Sequence, residues 1–316
     1  MSYSTYFTTW DKNPYDEVQE LISTSVLKSN TRLILAFASF NFDSTSYIPG
    51  LGNMTMDDVI KVTSLVHSNG GKISLSIGGA TYAFATSDLY SRPGDLAANI
   101  NTILTKCGFD GVDFDIEDAS GSVPSDFANN AASLINTLRS LNNNLNITLT
   151  TAAQAWATNN YQQSLINLTI GNLNAWQPME YDLWVDPTSD YYNQIIYDVN
   201  FYLTSWQVNP NKIILGLMPG KDDSGRDLTL QYALNLTSFA KSKGLQGVMT
   251  WDANIDSRGV DGNAPYAYSL GIQSTLTTTT NSTITNTKGK NKNAPKSGGG
   301  EVVVKESKRS YLCNIS

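Results

Sequence analysis

The chain has 316 residues, 41% of them hydrophobic, and a formal net charge of -7, which suits a protein with a large buried core. The charge is uneven: Met1 to Thr275 carries 14 Lys and Arg against 26 Asp and Glu, whereas Leu276 to Ser316 carries 7 against 2. An acidic body speaks against nucleic acid as a partner, because phosphates reward clustered Lys and Arg.

Cys107, Cys313 and the lone His67 do not suffice for a structural zinc site, so no metal or cofactor is expected, and Cys107 reads as a buried thiol. No apolar run reaches the ~18 residues of a membrane span. The amino terminus lacks the basic-then-apolar pattern of a signal peptide. The Asn-x-Ser/Thr triplets at Asn53, Asn146, Asn167, Asn235, Asn281 and Asn314 nonetheless fit a secretory route, and the expected location is extracellular.

In chain order, short apolar or β-branched runs alternate with stretches of helical spacing. The expected strands are Tyr3–Trp10, Arg32–Phe40, Lys72–Ile77, Gly111–Glu117, Ile147–Thr151, Ala175–Tyr181, Ile213–Leu217 and Gly247–Trp251. Helix starts are marked by Asn13-Pro14, by Thr55 with Asp58, by Pro93 and by Pro124, since a proline there wastes no donor and a Thr-x-x-acid pair can cap. Later helices are expected over Tyr161–Thr169, Tyr191–Trp206 and Leu228–Lys243, with a short one near Pro265–Leu270. Strict alternation implies parallel strands with right-handed crossovers, and eight units in about 250 residues fit a (β/α)8 TIM barrel. An open dinucleotide-binding sheet would need a G-x-G-x-x-G after a strand, which Gly216–Gly220 does not supply. Residues 1–275 form the expected barrel domain, and 276–316 a low-complexity, basic tail expected to be disordered.

The fourth strand carries the chemistry. In Asp110-Gly111-Val112-Asp113-Phe114-Asp115-Ile116-Glu117, alternation turns Asp113, Asp115 and Glu117 to one face and the apolar residues to the other. Carboxyls about 6 to 7 Å apart along one strand cannot all ionise comfortably in a confined space, so a proton is retained near neutral pH. That suits acid catalysis, although an oxygen-ligand metal site or a structural network would also use inward acids. Glu117 lies last, at the carboxyl end where barrel sites open. By position, Trp10 and Trp251 are expected aromatic platforms at the barrel mouth, Phe37 a pocket floor, and Gly78-Gly79 a close backbone approach. Gln177 and Met179 share the strand face of Tyr181. His67 reads as surface packing, and Asp222, Asp223 and Asp227 around Arg226 as a solvated loop.

These motifs resemble glycoside hydrolase family 18, the family of chitinases and some endo-β-N-acetylglucosaminidases. The D-x-x-D-x-D-x-E pattern stands at Asp110, Asp113, Asp115 and Glu117. S-x-G-G stands at Ser76 to Gly79, M-x-Y-D at Met179 to Asp182, and the eighth-strand tryptophan at Trp251. The resemblance implies a chitinase that acts on chitin or N-acetylglucosamine oligomers, the substrate's acetamide serving as nucleophile; a monomer is expected, and the short β/α loops add the expectation of endo-acting, internal cleavage. It further implies that Glu117 is the acid and base, that Asp115 orients the acetamide N–H, that Asp113 holds or shares a proton with Asp115, that Tyr181 donates to the acetamide oxygen, and that Asp182 contacts the sugar. An endo-β-N-acetylglucosaminidase and a non-hydrolytic chitin-binding protein remain the alternatives. Only 24 residues separate Gly220 from Leu245, too few for the large insertion that deepens the groove in one branch of that family.

Overall fold

The structure, a computed structural model, describes residues 1–40, 48, 50–52, 54–82, 84, 89, 91–118, 123–153, 161–183 and 190–278. Its strands are β1 (Ser2–Thr8), β2 (Thr31–Ala38), β3 (Lys72–Gly78), β4 (Gly111–Ile116), β5 (Asn146–Ala152), β6 (Ala175–Met179), β7 (Ile214–Leu217) and β8 (Gly247–Thr250). Each pairs in parallel with the next, and β8 pairs with β1, which closes the barrel. The helices are α1 (Pro14–Ser23), α2 (Met56–Ser68), α3 (Pro93–Cys107), α4 (Phe127–Leu141), α5 (Tyr161–Thr169), α6 (Tyr191–Thr204), α7 (Leu230–Ser242), α8 (Ala253–Asp256) and α9 (Ala267–Thr277). This is the (β/α)8 barrel that the alternation predicts.

The helix starts follow their local chemistry. Asn13 accepts the Tyr15 N–H ahead of Pro14, and Thr55 and Asp58 form a reciprocal capping box, which satisfies backbone donors that a first turn leaves open. α4 begins at Phe127, a little beyond the expected Pro124 start. At the other end, α9 runs to Thr277 because Tyr268, Ile272 and Leu276 bury one face. The compact unit is therefore Met1–Thr278, slightly longer than expected, and the tail expected to be disordered lies outside the described residues.

Two apolar layers result from strand alternation. Val112, Phe114 and Ile116 join the large core under the helices, together with Leu33, Leu35, Leu75 and Leu149. Tyr6, Ile34, Ala36, Phe37, Ala175, Ile214 and Met249 fill the barrel interior. Between β7 and β8 the chain makes only a two-stranded ribbon, Gly220–Lys221 with Asp227–Leu228, and then α7. No large domain is inserted there.

Closure of the barrel puts Gly247 against the start of β1. A Cβ at Gly247 would stand 2.2 Å from the Ser2 carbonyl oxygen, closer than any relaxed contact. Gly247→Ala is therefore expected to cost about 1–3 kcal/mol and to lower Tm by on the order of 5 °C. Gly171→Ala, where a Cβ meets nothing within 4 Å, should stay within about 0.5 kcal/mol of the parent. Thermal melts of both variants check this, and equal melts would refute it.

Candidate active site

The carboxylate of Asp113 sits fully buried on the barrel axis and accepts five hydrogen bonds. Tyr6 and Ser76 donate to Oδ2 at 2.6 and 2.8 Å, and Thr148, Thr150 and Gln177 donate to Oδ1 at 2.6, 2.9 and 3.1 Å. The donors come from β1, β3, β5 and β6, and the register explains two of them: Asp113 pairs with Thr148 and Asp115 with Thr150. A buried carboxylate needs such partners, because an unpaired one is costly. No hydrogen bond joins Asp113 to Asp115 among the described residues, and the five donors make Asp113 an anchor for the strands around it.

Asp115 lies one pleat nearer the mouth, 2% exposed, and its Oδ1 is buried without a partner. Burial, then the charges of Glu117 and Asp113, hold its carboxyl well above the usual range. Glu117 stands one residue past the end of β4. Burial and the neighbouring Asp182 push its pKa up to about 7, although the Ala80 N–H favours the ionised form. Near neutrality this group can both give and take a proton, as a general acid and base must.

Asp115 and Glu117 open into a cavity of about 270 Å³ that is also lined by Trp10, Phe37, Gly50, Ala80, Thr81, Tyr82, Met179, Tyr181, Asp182, Asp223 and Trp251. Trp10, Glu117, Tyr181 and Trp251 each lie one or two residues beyond their strands, which end earlier than expected from the apolar runs. Phe37 stacks on Trp251 at 5.4 Å and 16°, and Trp10 lies 6.2 Å from Phe37 at 25°. The result is an aromatic floor with one edge in solvent, since Trp10 is 58% exposed. Tyr181 is buried at the cavity wall, and burial with the acids Asp115, Glu117 and Asp182 keeps its hydroxyl protonated.

Some expectations change. Gly78 and Gly79 do not line the cavity: a Cβ at Gly78 would meet the Asp115 carbonyl oxygen at 2.2 Å, and one at Gly79 would meet the Phe37 ring at 2.6 Å. Their missing side chains let β3 lie against β4 and the aromatic floor, and the close approach is to the protein's own groups. Gln177 does not line the cavity as Met179 does, and is bonded instead to Asp113 and Thr150. The loop read as solvated is partly buried: Asp222 is 5% exposed and Asp223 lines the cavity. Asp110 sits at the opposite end of the barrel, where it pairs with Lys72 at 2.9 Å, lies 2.8 Å from His67 Nε2 and accepts the Ile73 N–H. Tyr6, Thr148 and Thr150 were not singled out from sequence, although period-two alternation puts the two threonines on the inward face of β5. Among the described residues no group of His, Cys, Asp and Glu could hold a metal ion, and no helix is long and apolar enough to cross a membrane.

A barrel mouth that holds a proton-retaining glutamate over an aromatic floor has the parts of a glycosidase. The family model for glycosyl hydrolases family 18 matches residues 2–222, and the chain belongs to that family. Solved structures with the same fold include a GH18 chitinase from Pseudoalteromonas aurantia, with TM-score 0.69 at 20% identity, covering 87% of this chain and 100% of that one. Active domain 2 of a thermostable chitinase from Pyrococcus furiosus gives TM-score 0.69 at 15% identity, covering 87% and 94%. The Group IV chitinase of Ostrinia furnacalis gives 0.68 at 15%, covering 87% and 99%. Among curated proteins, none matches this sequence.

A further acid sits outside the cavity. Glu17 on α1 is fully buried, accepts the Asn254 amide at 3.0 Å through Oε2 and leaves Oε1 unpartnered. Burial, reinforced by Asp252, raises its pKa to about 8. A carboxyl raised in the folded state binds its proton more tightly there than in the unfolded chain. Its stabilisation is therefore present below the ordinary value of 4.5 and is lost as pH rises through the folded pKa. For Glu117 and Glu17 that window runs from about 4.5 to about 7 and 8. Tm is expected to fall between pH 5 and pH 8.5, and Glu17→Gln, which keeps an acceptor for Asn254, should flatten the upper part of the decline. Melts across this range check it; a variant as steep as the parent would remove Glu17 from the account.

Proposed function

We propose that the protein is an endo-acting chitinase that hydrolyses β-1,4-linked N-acetylglucosamine polymers with retention, the substrate's acetamide carbonyl acting as nucleophile. The observation that carries this reading is the pairing of Glu117, protonated up to about pH 7, with a buried and proton-favouring Asp115 beside it. A carboxyl held in its neutral form is a poor nucleophile at the anomeric carbon, but a good partner for an amide N–H.

In this reading Glu117 protonates the glycosidic oxygen as the C1–O bond breaks. The acetamide oxygen closes on C1 and forms an oxazolinium ion, while Asp115 accepts a hydrogen bond from the amide N–H, where positive charge grows, and Tyr181 donates to the acetamide oxygen. Glu117, now ionised, removes a proton from the water that reopens the ring, so the configuration at C1 is retained. Asp113 fixes the base of the array and Asp182 faces the sugar. Trp251 and Phe37 carry the apolar face of the reacting ring. Trp10 continues the path, since it also borders a second cavity of about 580 Å³ between the β1–α1 turn and α2, room for further sugars.

Substitutions, product analysis and viscometry test the proposal. Glu117→Gln is expected to abolish turnover of an N-acetylglucosamine pentamer. Tyr181→Phe should slow it by the about 2.7–4 kcal/mol that loss of one charge-stabilising donor costs, with the fold intact by circular dichroism. A near-parental rate in Tyr181→Phe would remove that residue from the mechanism. Parallel product analysis on a high-mannose glycan discriminates an endo-β-N-acetylglucosaminidase, and tight binding of the pentamer without cleavage from pH 4 to 8 would make the protein a binding module. The shallow mouth left by the short β7–β8 connection favours internal cuts. Glycol chitin should therefore lose viscosity steeply while few reducing ends have formed; slow loss with dimer release would refute internal attack.

A further inference from the structure

The ribbon after β7 is tied to the turn after β6 by one buried side chain. Asp222 Oδ2 accepts the Asp182 N–H at 2.8 Å, and the Tyr191 hydroxyl lies 3.1 Å from the same oxygen and 3.1 Å from the Glu180 carbonyl. Asp222 Oδ1 accepts the Ser224 hydroxyl at 2.7 Å and the Arg226 N–H at 2.8 Å, which shapes the ribbon's own turn. In return the Asp223 N–H donates to Asp182 Oδ1 at 2.6 Å. Asp182 itself has φ +53, a left-handed conformation that a non-glycine residue holds only where its surroundings fix it.

We infer that Asp222 is a positioning residue: by gripping the Asp182 N–H it sets the left-handed turn that aims Tyr181 and Asp182 at Glu117. This rests on the chitinase reading. Asp222 does not line the cavity, so it acts through the turn and not on the sugar. Its charge also reaches the acid indirectly. Burial and then Asp222 raise the Asp182 pKa to about 6, and Asp182 is the main charge acting on Glu117. The other ionisable groups that interact with Asp182 are Asp223 from the ribbon, Tyr181 from its own turn and Tyr191 from α6, whose ring carries the Arg226 guanidinium at 6.0 Å.

The two acids therefore act on Glu117 with opposite sign. Without the Asp222 charge, Asp182 ionises at lower pH, and its charge holds the Glu117 proton to higher pH. Without an ionisable Asp182, Glu117 loses its proton earlier. The experiment measures kcat and KM on the N-acetylglucosamine pentamer from pH 4 to 9 for the parent, Asp222→Asn, Asp182→Asn and Tyr191→Phe, with circular dichroism on each. Asp222→Asn is expected to lower kcat about tenfold through misplacement of the reacting groups with little change in KM. It should move the alkaline limb of kcat upward, while Asp182→Asn moves it downward. Tyr191→Phe keeps the ring, removes one donor, and should lower kcat by a smaller factor even if Asp222→Asn fails to fold. Parental kcat and an unmoved limb in a folded Asp222→Asn, or a loss that only follows the unfolded fraction, would overturn the role of Asp222 while parental activity leaves the chitinase reading standing. A parent inert toward the pentamer would sink the chitinase reading itself, and the role of Asp222 with it.

Discussion

The carboxylate of Asp113 draws hydroxyl and amide donors from four other strands to one point on the barrel axis. A carboxyl group so deep is tolerable only when its oxygens are met by partners, and meeting them fixes the relative heights of β1, β3, β4, β5 and β6. Everything above it inherits that register. Asp115 stands one pleat higher and Glu117 another, so the acids rise in a column from a saturated site to an open one. Asp113 is met by five donors and lies off the cavity, whereas Asp115, with Oδ1 unpartnered, and Glu117, held by the Ala80 N–H, both line it. The gradient is one of access, and it gives three residues of similar chemistry three different surroundings.

What the gradient needs from the rest of the fold is a wall that does not fill the mouth. The strands stop one or two residues short of Trp10, Glu117, Tyr181 and Trp251, so these side chains leave the ladder where the barrel flares. Gly78 and Gly79 keep β3 low beside them, since any Cβ there would strike the Asp115 carbonyl or the Phe37 ring. Phe37 can then lie parallel to Trp251. The place of Phe37 in the aromatic floor thus depends on the absent side chain of Gly79, just past the end of β3.

The alternation of β4 was legible in the sequence because strand period two is local: each residue's face follows from its neighbours. Helix starts at Asn13-Pro14 and Thr55 were legible for the same reason. The glycines were recognised as close approaches, but their partners were not, because the Asp115 carbonyl and the Phe37 ring come from other strands. Gln177 shared the inward face as expected, yet only the register across β5 and β6 shows that it bonds downward to Asp113. Asp222 was the largest miss. A run of two aspartates, a serine, a glycine and an arginine reads as a solvated turn, and nothing local announces that an N–H on another loop needs its oxygen.

Raised carboxyl pKa values alone would not have found the site. Glu180 is fully buried behind β6, bonded by the Tyr202 hydroxyl at 2.7 Å and paired with Asp198, and its carboxyl is held well above the usual range by burial and by that neighbour. Glu17 is fully buried where Glu117 is only half-buried, and its pKa is raised further. Neither touches the cavity that Glu117 and Asp115 share. Burial that raises a pKa also tends to hide the proton from any substrate, so strength of perturbation and usefulness pull apart. Glu117 combines the two because only its outer face is open, with Ala80 holding one side and Asp182 the other. Perturbation marks where a fold has trapped a proton; an opening beside it marks where the proton can be used.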